Sequence, residues 1–263
     1  MGNFNNSLNR TPDLIEINLG FPDFRFRSGK TEKLSFFQVE ALVKALPKAV
    51  QNIGMGGSPL RFEWWKELVV LLSSIKKNVV LVEKISQIDT SRTNLLQIKG
   101  IKLFLEVESL NQVGKVWKFK DNCEMFLISL GKIYKNMHLL NALKKTGVPF
   151  NIETITWQFD DDEIKKISQF LDRLGRVNRK CEIVESRIIG LGLDGTFYPC
   201  VALQFPEFRL GNIFNDGFDK IVRNYLEFKG KLRCQYCCQA RSWSKYKALN
   251  QDFLCCHQCR KIY

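Results

Sequence analysis

The sequence predicts an α/β protein: a parallel sheet with helical crossovers, closed or partly closed into a barrel, followed by a small cysteine-rich domain. Three observations carry this expectation. Strand-like and helix-like stretches alternate at least five times at spacings of about 25 to 40 residues, the rhythm of βαβ crossovers and hence of parallel strands. That rhythm fades after about Arg179, and eight of the nine cysteines lie in the last third of the chain. Finally, 263 residues with 45% hydrophobic and 25% charged content suffice to bury a full core without a metal to hold it together. The expected boundary separates residues 1–179 from residues 180–263.

After a polar stretch from Met1 to Pro12, Leu14 to Leu19 alternates apolar and polar side chains with period two and predicts a strand. A loop from Gly20 to Lys33 follows. Ser35 suits the N-cap of a helix over Phe36 to Leu46, because its hydroxyl can accept from the free amides of the first turn. Gln51 to Met55 predicts a short strand, Gly56 to Pro59 a turn, and Phe62 to Ser74 an amphipathic helix. Asn78 to Val82 and Ile101 to Val107 are apolar strands of the buried type. A helix is expected from about Asp121 to Tyr134, and another over Leu139 to Lys145 with Gly147 as its C-terminal cap. Pro149 to Trp157 reads as a strand. Asp161 to Leu174 reads as a helix, with Asp160, Asp161, Asp162 and Glu163 stabilising its positive end. In the adjacent pairs Phe36–Phe37 and Trp64–Trp65, one ring should face the core and the other a neighbouring element or a partner.

Composition removes several classes of function. No apolar run reaches the roughly 18 residues that a membrane span requires, so no transmembrane helix is expected. Met1 to Ser7 has no charged head followed by an apolar stretch, and Asn6 stands where myristoylation requires Ser or Thr. A cytoplasmic location is expected, where thiols stay reduced and clustered cysteines serve metals. The net charge of +13 favours polyanions or an acidic partner, yet it is spread along the chain without a block of five or six like charges, as on a solvated surface. With only His138 and His257 present, neither a catalytic triad nor a histidine-based catalytic zinc site can be assembled, and no catalytic residue is assigned.

The cysteine spacing is the strongest chemical signal. Cys234/Cys237 and Cys256/Cys259 are two CxxC pairs separated by 18 residues. Each pair puts both sulfurs on one side of a tight turn, an arrangement that suits tetrahedral zinc and iron–sulfur clusters alike. Upstream, Cys181, Gly195 and Cys200 form the pattern C-x13-G-x4-C. Cys238 and Cys255 adjoin the pairs as spectators, and Cys123 is expected to pack on a helix face.

Gly190 to Cys200 (GLGLDGTFYPC), followed by Arg209 to Ile213 and Phe218 to Tyr225, resembles the SPASM and twitch extensions of radical S-adenosylmethionine (radical SAM) enzymes. In those extensions, cysteines around a hairpin hold an auxiliary [4Fe-4S] cluster. Asp194–Gly195 is by itself a strong two-residue turn signal, which would project Cys200 from the return strand. The resemblance implies Cys181, Cys200, Cys234 and Cys237 as thiolates of one cluster, with Cys255, Cys256, Cys259 and either Cys238 or His257 supplying a second site or none. The full SPASM pattern would place a further cysteine where Trp243 stands. A second partition stays open: structural zinc on Cys234, Cys237, Cys256 and Cys259, with Cys181 and Cys200 reduced in the core.

Ile53 to Leu60 (IGMGGSPL) looks like the GGEP segment of the same family, whose backbone binds the methionine part of the cofactor. That likeness marks Gly56, Gly57, Ser58 and Pro59 as a vestigial cofactor site. Gly147 to Ile167 looks like the strand and helix that follow the middle of the family's barrel. The family also carries CxxxCxxC after the first strand, where three thiolates hold a cluster with one iron open. Here that loop reads Gly20 to Arg27 (GFPDFRFR), and no cysteine precedes Cys123. Phe and Arg cannot replace thiolates on iron, and Ser58 stands where GGEP has its acid.

The resemblance therefore implies an incomplete radical SAM-type (β/α) barrel without radical initiation, S-adenosylmethionine not being an expected cofactor and enzymatic activity not being expected. Its implied role is to recognise a peptide or protein substrate, or to accompany an active radical SAM enzyme in modifying a peptide or cofactor precursor. Arg25 and Arg27 are expected to engage an anion in the vacated cavity. The rival class is a zinc-stabilised basic protein that binds nucleic acid.

Overall fold

A computed structural model describes residues 12–19, 34–129, 137–148, 150–153, 156–157, 188–199, 204, 206–231 and 253–254. Strand β1 (Leu14–Asn18) leads into α1 (Phe36–Ala45), β2 (Asn52–Gly56), a 3₁₀ turn (Pro59–Arg61) and α2 (Trp65–Ser74). Next come β3 (Asn78–Lys84), α3 (Thr90–Ile98), β4 (Lys102–Glu106), α4 (Val113–Phe119) and β5 (Met125–Ser129). Helix α5 (Met137–Thr146), β6 (Phe150–Glu153) and β7 (Thr156–Trp157) follow, then β8 (Ile188–Leu191), β9 (Thr196–Tyr198), β10 (Gly211–Asn212), α6 (Phe218–Lys231) and β11 (Phe253–Leu254).

Nine strands form one sheet in the order β10-β9-β8-β1-β2-β3-β4-β5-β6. β1 to β6 and β8 pair in parallel, and β9 and β10 are added antiparallel. Strands β8, β9 and β10, beyond the boundary expected from composition, thus continue the sheet that begins with β1. Local patterning does not encode that return. All four residues of β8 are buried, so its sequence shows no alternation to betray which neighbour it takes.

Side chains alternate across the first four strands as the pleat requires. Ile15, Ile17, Ile53, Met55, Val79, Leu81, Leu103 and Leu105 are buried in one core cluster with Leu42 of α1, Leu68 of α2 and Val116 of α4. On the opposite face Glu16, Asn18, Gly54, Gly56, Val80, Val82, Lys84, Phe104 and Glu106 are only half-buried. Open parallel sheets receive ligands beyond the C-terminal ends of their strands.

Helix α1 starts where expected, on a capping box. Ser35 Oγ accepts from the Gln38 amide at 3.4 Å, and Gln38 Oε1 accepts from the Ser35 amide at 2.9 Å. We expect Ser35→Ala to lower stability by about 1 kcal/mol in urea unfolding; a change below a few tenths would show that the box contributes nothing. The αL glycine after α5 is likewise in place, with Gly147 at φ +69°.

Other expectations are corrected. The helix anticipated from Asp121 to Tyr134 gives way to β5 over Met125–Ser129. An unbroken apolar run of this length suits a buried parallel strand as well as a helix, and pairing with β4 and β6 decides it. Helices α3 and α4 were not anticipated; α3 is capped by Asp89, whose carboxylate accepts from the Arg92 amide at 2.9 Å. The single strand expected over Pro149–Trp157 is divided between β6 and β7, and β7 pairs antiparallel with β11 in a separate sheet. The helix expected over Asp161–Leu174 lies outside the described residues.

Candidate functional site

The turn that closes β2 is the sequence-predicted site the structure places most fully. The Leu19 amide at the end of β1 donates to the Gly56 carbonyl at 3.0 Å. Gly57 and Ser58 then take positive φ, at 81° and 56°. For a non-glycine residue such a conformation costs roughly 1 kcal/mol or more, and persists where the surroundings fix it. Ser58 is fixed in this way: it is 6% exposed, its carbonyl accepts from the Arg61 amide at 3.1 Å, and Pro59 opens the 3₁₀ turn behind it.

Below the turn, Gly54 and Gly56 keep the open face of the sheet shallow. A Cβ on Gly54 would lie 3.6 Å from Glu16 Cγ, and one on Gly56 would lie 3.7 Å from Asn18 Nδ2. Those are ordinary contacts, so the glycines leave room rather than relieve a clash. Further along this face Lys84 is registered beside Glu106, and its ammonium lies 2.9 Å from Glu108 Oε1. Burial raises the Glu106 carboxyl above the usual carboxylate range, Glu108 adds to the rise, and Lys84 opposes it.

One buried acid escaped the sequence analysis. Glu83 of β3 accepts from the Leu60 amide at 2.5 Å through Oε1, while Oε2 is buried without a hydrogen-bond partner among the described residues. Burial pushes this carboxyl up to about 7. The alternation Val79, Leu81, Glu83 was the available signal, since period two places all three on the core side.

Aromatic side chains wall the same end of the molecule. Phe62 stacks on Trp64 with ring centres 4.5 Å apart, and Phe36 lies 5.9 Å from Trp64. Arg61 lies over Phe62 at 5.0 Å, and Arg92 over Trp65 at 5.3 Å. Of the two pairs, Phe36, Trp64 and Trp65 all pack partly buried against the core, while Phe37 is 77% exposed.

Cys181, Cys200, Cys234, Cys237, Cys256 and Cys259 lie outside the described residues, as do Cys238, Cys255, His257, Arg25, Arg27 and Asp160 to Glu163. Among the described residues no group of three or more metal-ligating side chains occurs. Cys123 packs against the core just before β5, rather than on a helix face, with its thiol 3.5 Å from the Met125 carbonyl. Burial pushes that thiol up to about 12, which leaves it inert. His138 is exposed on α5.

The hairpin that leads toward Cys200 forms, with a different turn from the one expected. A two-residue type I′ turn needs two central residues at positive φ, and only Gly195 has one, at 81°. The connection is instead three residues, Leu193, Asp194 and Gly195, bracketed by Gly195 N–H to Gly192 O at 3.0 Å and Gly192 N–H to Thr196 O at 2.8 Å. Asp194 fastens it by accepting from the Thr196 amide at 3.1 Å and the Thr196 hydroxyl at 2.6 Å.

No protein-family model matches this sequence, and no curated protein matches it either. Solved structures do resemble the fold. Native anSMEcpe with bound AdoMet is 16% identical with a TM-score of 0.56, over 86% of each chain. Native anSMEcpe with bound AdoMet and Cp18Cys peptide is 14% identical with a TM-score of 0.55, over 87% of each chain. The corresponding Kp18Cys complex is 15% identical at 0.55, again over 87% of each. These are radical SAM enzymes, and the present chain has the radical SAM type of α/β fold. Among the described residues no helix is long and apolar enough to cross a membrane.

The donor set does not fit the radical-initiating cluster of such enzymes. Residues 19–35, which join β1 to α1, contain no cysteine and no histidine.

Proposed function

We propose that this chain is a non-catalytic radical SAM-like protein that recognises a peptide or protein substrate, or accompanies an active radical SAM enzyme in modifying one. In this reading Cys181, Cys200, Cys234 and Cys237 hold an auxiliary [4Fe-4S] cluster. The observation that carries it is the pairing of a radical SAM fold with a β1–α1 connection devoid of thiols. Ser58 in place of an acid points the same way, since it removes the anionic partner of a cofactor ammonium. Support for a peptide comes from the fold neighbour solved with the Cp18Cys peptide. The half-buried face of β1 to β4 also suits a peptide better than a nucleic acid, because Glu16 and Glu106 stand there beside Lys84, although the whole chain carries +13.

Anaerobic purification with metal analysis tests the proposal. About four iron and four sulfide per chain are expected, and the paired change Cys200→Ser with Cys234→Ser should remove both. With S-adenosylmethionine and a strong reductant, no 5′-deoxyadenosine should form; its formation would overturn the non-catalytic reading. A colourless protein holding one zinc, with nucleic-acid affinity that collapses as salt rises, would establish the rival reading instead.

A further inference from the structure

Glu83 is 1% exposed on the core side of β3, yet it bonds the backbone of the turn that ends β2. An ionised carboxylate at that depth loses its hydration, and only an ion pair would compensate. Among the described residues the charged groups facing it are Arg61 from the 3₁₀ turn, Arg92 from α3 and Glu106 from β4. Both cations are engaged elsewhere. Arg61 sits on the Phe62 ring. Arg92 sits on the Trp65 ring, donates from Nη1 to the Gln87 carbonyl at 2.9 Å, and has Nε 3.7 Å from Asp89. Glu106 repels a negative charge at this point. The unmatched Oε2 is therefore suited to carry a proton, and the turn is built around an uncharged acid.

We propose that Glu83 is a proton-operated positioning residue for the Gly57–Leu60 turn: neutral, it holds the Leu60 amide and leaves Arg61 and Arg92 on their rings; ionised, it draws one guanidinium to Oε2 and reshapes the wall of the candidate site. The physical driver is that a buried carboxylate strengthens its attraction to nearby cations once water is excluded. The device belongs to the turn itself, and it stands whether or not the cysteines bind iron.

Nuclear magnetic resonance on the full chain between pH 4 and 9 tests it. The Glu83 carboxyl carbon should titrate near pH 7 instead of near 4.5, the ordinary value for a glutamate. The Leu60 amide and Trp65 indole signals should move with the same midpoint, and Glu83→Gln should abolish those movements. A Glu83 midpoint near 4.5, or equal movements in the Glu83→Gln variant, would overturn the proposal. The stability sign is also fixed. A raised folded pKa means that the favourable contribution is complete below about 4.5 and is lost as pH rises through about 7. Wild type should therefore lose stability relative to Glu83→Gln across that window. Should the variant fail to fold, the wild-type carboxyl titration decides alone.

Discussion

Tyr225→Ala should lower the unfolding free energy by about 3–5 kcal/mol, the range for truncating a fully buried aromatic ring. Tyr225 lies on α6 at 0% exposure and is the largest fully buried side chain among the described residues. Its hydroxyl donates to the Ile188 carbonyl at 3.1 Å, so the ring ties α6 to the strand that pairs with β1. Removal leaves a cavity and withdraws a donor from a buried carbonyl. Tyr225→Phe separates the two effects, because it withdraws only the donor and should cost about 1 kcal/mol. Urea unfolding of both variants measures the difference. A loss under about 1 kcal/mol for the alanine variant would mean that α6 does not share a cooperative unit with the parallel sheet.

What could be read from the sequence follows from the range of the interaction responsible. Strands β1, β3 and β4 were legible because a buried and a half-buried face impose period two on Leu14 to Asn18 and admit apolar side chains on both faces within Asn78 to Lys84 and Lys102 to Glu106. The start of α1 was legible because Ser35 satisfies first-turn amides only three residues away. Strand β5 was not, since its five residues carry no periodicity and its identity comes from neighbours distant in sequence. Helix α3 was missed because it buries only Thr93 and Leu96, too few positions for a stripe to show.

The site divides along the same line. Gly56 to Pro59 announced a turn, but the left-handed state of Ser58 depends on burial and on partners that no local pattern specifies. Glu83 was legible in principle from its register with Val79 and Leu81. It passed unnoticed because a charged residue at a strand end ordinarily reads as solvent-facing. The hairpin signal Asp194–Gly195 was correct in place and wrong in geometry: glycine supplies the positive φ, whereas Asp194 works through its side-chain bonds to Thr196.

Gly195→Val should cost about 3 kcal/mol, combining a left-handed backbone for a β-branched residue with overpacking. A Cβ on Gly195 would lie 2.7 Å from Phe214 Cε2 and 3.0 Å from Ile213 Cγ2. Phe214 is largely exposed and can swing away, but Ile213 packs against the core, and its amide donates to the Gly195 carbonyl at 2.8 Å. Gly100→Val supplies the comparison. Gly100 has φ +68° with nothing within 4 Å of an added Cβ, so its variant pays the backbone cost alone. The excess loss at Gly195 measures how tightly the hairpin is seated against residues 213–214. Under the proposed cluster, displacing this hairpin also disturbs the approach of the chain to Cys200, so Gly195→Val should lose iron under conditions where Gly100→Val retains it. Equal iron content in the two variants, with unequal stability, would separate the hairpin's packing from metal binding.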